Sequence, residues 1–127
     1  MMRWLDRGLS LLLILGGVGH TLGVIQFYKD PDTLFWSLTD SVLIFLVAAL
    51  NLLRSWRIGD RGLAGVAMSG AAANLAIALA FGRLIGNMAD VRVIMFAVVS
   101  TGLIAFGIRD IVGASRSTVS GGRTFEA

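Results

Sequence analysis

Apolar positions along this chain fall neither into the alternation of a surface strand nor into the single stripe of a soluble amphipathic helix; they form four long runs separated by short charged segments. Gly8 to Tyr28 is free of charge for 21 residues. At a helical rise of about 1.5 Å per residue, that run reaches roughly 30 Å, the thickness of a bilayer's hydrocarbon core. Thr33 to Leu53 is a second run, broken by one acid, Asp40, and Gly62 to Gly82 is a third. The fourth, Val93 to Ile108, is charge-free for only 16 residues, so its helix is expected to start near Met88 with Arg92 or Arg109 snorkelling from within a turn. The pattern predicts an all-α integral membrane protein with spans at about 8–28, 33–53, 62–82 and 88–108, residues 1–112 forming one transmembrane domain.

Short connections between the runs imply that successive helices are antiparallel, giving a four-helix up-down-up-down bundle. Lys29-Asp30-Pro31-Asp32 is a turn by composition, and Pro31, with its fixed φ and missing donor, suits the start of the second helix. Residues 113–127 are rich in Ser, Thr and Gly and are expected to form a mobile tail, since they offer little to bury. The first run, preceded by Arg3 and Arg7, has the order of a signal peptide, yet it is too long for an h-region and lacks an A-x-A-like cleavage site; retention is expected.

Composition agrees with a membrane as solvent: 56% of residues are hydrophobic and mean hydropathy is +0.80. A net charge of +3 invites a nucleic-acid reading, but the basic residues fall singly between apolar runs and make no patch, so no nucleic acid is expected as a partner. They serve instead as topological anchors. Arg3, Arg7, Arg54, Arg57, Arg61, Arg109, Arg116 and Arg123 lie on one side of the spans, against Lys29, Arg83 and Arg92 on the other. The positive-inside rule then puts both termini and the middle loop in the cytoplasm, as in a multi-pass protein of the cytoplasmic (inner) membrane.

Lipid tails are as apolar as Leu, so small and polar residues mark the faces that meet other helices. In the first span Gly16, His20, Gly23 and Phe27 share a face, and Gly19 to Gly23 is a GxxxG; the third span is built largely of Gly, Ala and Ser and should sit against two helices or a second copy of the chain. Counting from the Lys29/Arg83 side, His20, Asp40, Asn74 and Ser100 all lie seven or eight residues inside their spans, roughly 10–12 Å deep. Each helix thus contributes one polar side chain to a common layer. Thr101 is about 100° round its helix from Ser100, so only one of the two can face inward.

A charged Asp near mid-membrane costs about 2.5–3.5 kcal/mol, which directs Asp40 toward the bundle and toward His20, the other ionisable group at that depth. Desolvation and mutual attraction act on such a pair in opposite senses, and it titrates as one coupled unit able to hold or pass a proton. Asn51, three turns beyond Asp40, suggests an inner path, while Gln26, Trp36 and Arg83 are placed to shape an outer mouth. Against this, Asn74, Ser100 and Thr101 are also ordinary interhelical glue, and Trp4, Tyr28, Trp36 and Trp56 ordinary interfacial anchors.

The chain has no Cys and one His, which excludes thiol chemistry and a multi-histidine metal site. Haem with His and Met ligation has Met68, Met88 and Met95 as candidates, none sharing the His20 layer, so the cofactor is left undefined. No phosphate loop or nucleophile elbow is present. In size and four-helix plan the chain is similar to small bacterial inner-membrane proteins of the DoxX-like and small-multidrug-transporter-like groups, without their signature residues; the acid in the first helix that the latter use in proton coupling is missing, Asp40 being in the second. Three readings stay open. The chain binds or transports a small molecule or ion at the polar layer, with proton linkage, or it is a membrane-embedded acid/base enzyme on an apolar substrate, or it is an accessory or assembly subunit. Its partners are the lipid bilayer and either further copies of itself or the other subunits of a membrane complex.

The orientation has a direct test. A reporter that fluoresces only in the cytoplasm is expected to be active when fused after Ala127 and silent when placed between Lys29 and Asp32; the opposite pattern reverses the topology.

Overall fold

The computed structural model describes residues 2–120, with side chains as far as Gly113. It consists of α1 (Met2–Phe27), α2 (Pro31–Trp56), α3 (Arg61–Leu84) and α4 (Val91–Ser120), each long and apolar enough to cross a membrane. They form the up-down-up-down bundle expected, each helix packed against the next and α4 against α1. The protein is a multi-pass membrane protein. One end of the bundle carries the first turn of α1, the α2–α3 turn and the last turns of α4; we call it the terminal end, and the other the loop end.

Local chemistry sets the helix boundaries. Asp30 caps α2, its carboxylate accepting from the Thr33 amide at 2.9 Å and hydroxyl at 2.8 Å, with Pro31 in the first turn as its ring geometry favours. These bonds hold the Asp30 carboxyl below its usual range. Asp60 caps α3 through the Leu63 amide at 2.9 Å. Gly59 and Gly86 take φ of +87° and +67° in the two turns, where a Cβ is disfavoured. The α4 start differs from the one near Met88: residues 85–90 form a turn, and Asp90 accepts from both the amide and the guanidinium of Arg92, which draws its carboxyl down to about 2. At the terminal end the helices outrun the charge-free spans. Helix α1 begins six residues before Gly8, and α4 continues through the first residues of the expected tail to Ser120, residues 121–127 lying outside the described part.

Mid-bundle, the core is Leu13, Ile44, Val47, Ala48, Ala71, Val99 and Leu103, drawn from all four helices. The outer surface is just as apolar, with Leu11, Leu15, Leu22, Val42, Leu46, Val66 and Val98 exposed to what is lipid in a membrane. Helix α3 buries Ala64, Ala67, Ala71, Asn74 and Ala78 along one face against α2 and α4, the two-neighbour position its small residues predict. The contact face of α1 differs from the one read off its glycines. It is centred on Leu13, Gly17 and Val24, which keeps His20 near its edge and leaves Phe27 74% exposed. The close approaches use adjacent glycines, Gly16 toward Met95 and Phe96 of α4 and Gly17 toward Ile44 and Phe45 of α2, while a Cβ at Gly19 or Gly23 would have no neighbour within 4 Å.

A Cβ at Gly17 meets the Ile44 methyl at 2.9 Å and the Phe45 ring at 3.0 Å, both held in the packed seam. Gly17→Ala is therefore expected to lower thermal stability in detergent by about 1–3 kcal/mol through overpacking, and Gly19→Ala to leave it unchanged or slightly raised. Equal effects would mean that the α1–α2 seam is not set by Gly17.

Candidate functional site

The four polar residues expected in one layer come together as two pairs on different seams. Between α3 and α4, the Asn74 amide donates to the Ser100 hydroxyl at 2.9 Å, both side chains being buried. Thr101 is exposed and donates back to the Ala97 carbonyl, so Ser100 is the inward member of the two. Between α1 and α2, His20 Nε2 lies 3.5 Å from Asp40 Oδ2, with the two side chains 27% and 30% exposed. That is ion-pair range, but the geometry is not that of a hydrogen bond, and Nε2, itself shielded from solvent, has no hydrogen-bond partner. Among the described residues no hydrogen bond joins the two pairs.

Gln26, Trp36 and Arg83 are all exposed at the loop end, with Trp36 set edge-on against Phe35 at 5.6 Å. At the same end Arg92 lies over the Phe81 ring and pairs with Asp90. Asn51 is fully buried and engaged on three sides: its amide donates to the Val47 carbonyl at 2.9 Å and the Ala67 carbonyl at 3.3 Å, and its oxygen accepts from Arg54 Nε at 3.4 Å. As a side chain it belongs to a different constellation from the polar layer.

That constellation centres on Arg54, which is 1% exposed. Its NH2 donates to Asp6 Oδ1 at 2.5 Å and its NH1 to Asp110 Oδ2. Asp110 accepts in addition from Arg109 Nε and NH2 at 3.2 and 2.8 Å, and the Arg109 guanidinium lies over the Phe106 ring. Ser10 donates to the Asp6 carbonyl, so α1 is ordered around its buried acid. Asp6 is thus an acid in the first helix, which corrects the expectation that this helix carries none: α1 begins at Met2, ahead of the charge-free run. A planar guanidinium with donors in a fixed fork suits two carboxylates on two different helices, which an ammonium on a flexible stem does not.

From its place in the sequence Arg54 reads as a solvated anchor. The signal that identifies it is positional: Asp6 precedes the first run by two residues, Arg54 follows the second directly, and Asp110 follows the fourth by two, so opposite charges meet at one depth. Among the described residues no group of three or more His, Cys, Asp or Glu is arranged to hold a metal. Compared with protein-family models, curated proteins and solved structures, the chain finds no match. The class the fold defines, a four-helix multi-pass membrane protein, is therefore the identification the geometry supports.

Removing one partner of a buried ion pair leaves a charge unpaired, at a typical cost of about 3–5 kcal/mol. Arg54→Met is expected to destabilise the bundle on that scale, measured by thermal unfolding in detergent. The triple change Asp6→Leu, Arg54→Met and Asp110→Leu is expected to be much less harmful than the single one. If the single change is neutral, the three groups are not coupled in the folded protein.

Proposed function

We propose that this protein binds a small molecule or ion at the His20–Asp40 pair, with proton linkage, in the cytoplasmic membrane and with both termini on the cytoplasmic side. The observation that carries this reading is the unsatisfied state of the pair. A carboxylate and an imidazole sit 3.5 Å apart in the span of two membrane helices, and the buried Nε2 makes no hydrogen bond. Intramembrane polar groups that serve only as glue satisfy each other, as Asn74 and Ser100 do. An ionisable pair left short of that state is a place where a proton or a polar ligand gains a contact.

Partial exposure of both side chains opens the pair toward the α1–α2 seam, so the ligand enters from the lipid side. Net charge at the pair changes by one unit when a proton is taken up, and a cationic ligand competes with that proton while an anionic one is favoured by it. Transport, rather than binding alone, requires assembly with further copies or with other subunits, since the short loops leave little room for gating within one chain.

Asp40→Asn keeps size and hydrogen-bonding capacity but deletes the charge and the exchangeable proton. For a ligand identified by mass spectrometry of the purified protein, Asp40→Asn and His20→Ala are expected to weaken affinity at least about tenfold, equivalent to about 1.4 kcal/mol, without unfolding the bundle. Ser100→Ala should be mild. Wild-type affinity should also vary with pH, and Asp40→Asn should lose that component. Identical affinities and pH profiles in the two proteins would make Asp40 structural and favour an accessory subunit.

A further inference from the structure

At the terminal end a cavity of about 920 Å³ opens beside the Arg54 cluster, with the buried Asp6 and Arg54 at its base and Asp110, Met2, Trp4 and Ile58 also in its lining. Three arginines, Arg3, Arg54 and Arg109, face two acids in its lining, an excess of one positive charge. The carboxylates are already engaged, since Asp6 accepts from Arg54, and Asp110 accepts from Arg54 and Arg109 through its two oxygens. Arg54, bound through Nε to Asn51 and through both terminal nitrogens to the acids, is 1% exposed and satisfied, but the other two guanidiniums are not used up. Among the described residues Arg109 makes no bond through NH1, and exposed Arg3 has no described partner.

Spare donors with a single net positive charge select a monoanion, and phosphate oxygens match the guanidinium fork. The depth adds a second constraint. The cavity lies where the charge-free runs end, at Arg54 and Arg109 just beyond Leu53 and Ile108, which is the headgroup level of a bilayer, and Met2, Trp4 and Ile58 stand on its outer side. A phosphate held at this depth stands where the lipid phosphates of the bilayer already are, whereas a cation would face three guanidiniums. We propose that this cavity binds the monoanionic phosphate headgroup of a membrane lipid, Arg3 and Arg109 taking the phosphate. The site is separate from the His20–Asp40 pair and stands or falls independently of it.

Trp4 lines the cavity and reports on it. In a Trp36→Phe, Trp56→Phe background, both positions being exposed, Trp4 is the remaining tryptophan. The protein is reconstituted in phosphatidylcholine vesicles containing increasing fractions of acyl-brominated phosphatidylglycerol or, separately, acyl-brominated phosphatidylcholine. Half-maximal quenching is expected at a several-fold lower fraction of the anionic lipid. Arg3→Gln should reduce that preference, and Arg3→Gln with Arg109→Gln should abolish it. Arg57→Gln, at the same end but outside the cavity lining, should leave it intact. Circular dichroism and elution volume check that each variant is folded, and Arg3→Gln alone, which breaks no described contact, keeps the test decisive if the Arg109 variant is not.

Coincident quenching curves in the unmodified cavity overturn the proposal, as does a preference that survives Arg3→Gln undiminished. A loss with Arg57→Gln as large as with Arg3→Gln reduces the effect to general surface charge and also overturns it. Inorganic phosphate added to brominated phosphatidylcholine vesicles distinguishes the source. No change in Trp4 emission supports the lipid, while an arginine-dependent change that also removes the phosphatidylglycerol preference assigns the cavity to free phosphate instead.

Discussion

A guanidinium that is 1% exposed among apolar helices has no water to solvate it, and its charge has to be met by protein groups brought to it. Around Arg54 that requirement recruits every helix. Asp6 comes from α1, Asp110 from α4, Asn51 from α2 itself, and through the Asn51 amide the Ala67 carbonyl from α3. Van der Waals packing of Leu, Val and Ala tolerates a helix sliding by a fraction of a turn, but a planar fork between two carboxylates does not. The network therefore fixes the vertical register of α1, α2 and α4, and the packing of the middle of the bundle follows from it.

Saturation divides the polar groups inside the spans. Asn74 bonds to Ser100, and the Arg54 cluster holds its acids on matching donors. His20 and Asp40 are near enough to interact and yet do not bond. Ordinary structural contacts in lipid gain their modest free energy by completion, so the incomplete pair is the one whose energetics a proton or ligand can change most. Spare donors in the cavity follow the same logic with opposite sign, since there the base is satisfied and the rim is not.

The bundle itself is legible because each span is an uninterrupted apolar run, and Pro31 marks the start of α2 as its ring geometry requires. Depth counted along the helices also brings His20 beside Asp40 and Asn74 beside Ser100, as pairs on two different seams. Rotation is harder to read. Gly19–Gly23 has the spacing of a contact motif, but Gly16 and Gly17 make the close approaches, because Leu13 and Val24 fill the core and set the angle of α1. Arg54 is hidden for a physical reason: a long cation one residue beyond an apolar run has a snorkelling route to water, and the run alone does not tell that route from a buried one. Only acids at the same depth on neighbouring helices separate the two cases.

These contacts bear on how such a small bundle moves. Alternating access within one chain needs one pair of helices to rock against the other, and the natural halves are α1 with α2 and α3 with α4, the pairs in most extensive contact. Arg54 to Asp110 and Asn51 to Ala67 cross that division at the terminal end. Rocking there would part a buried ion pair at a cost of about 3–5 kcal/mol, as large as the few kcal/mol that separate working conformations. The loop end carries no comparable cross-tie among the described residues, the Asn74–Ser100 bond lying within one half. Motion is thus easiest as a splaying of the loop end about a fixed terminal end, which would widen the α1–α2 seam beside His20 and Asp40 while leaving the Arg54 network and its cavity intact.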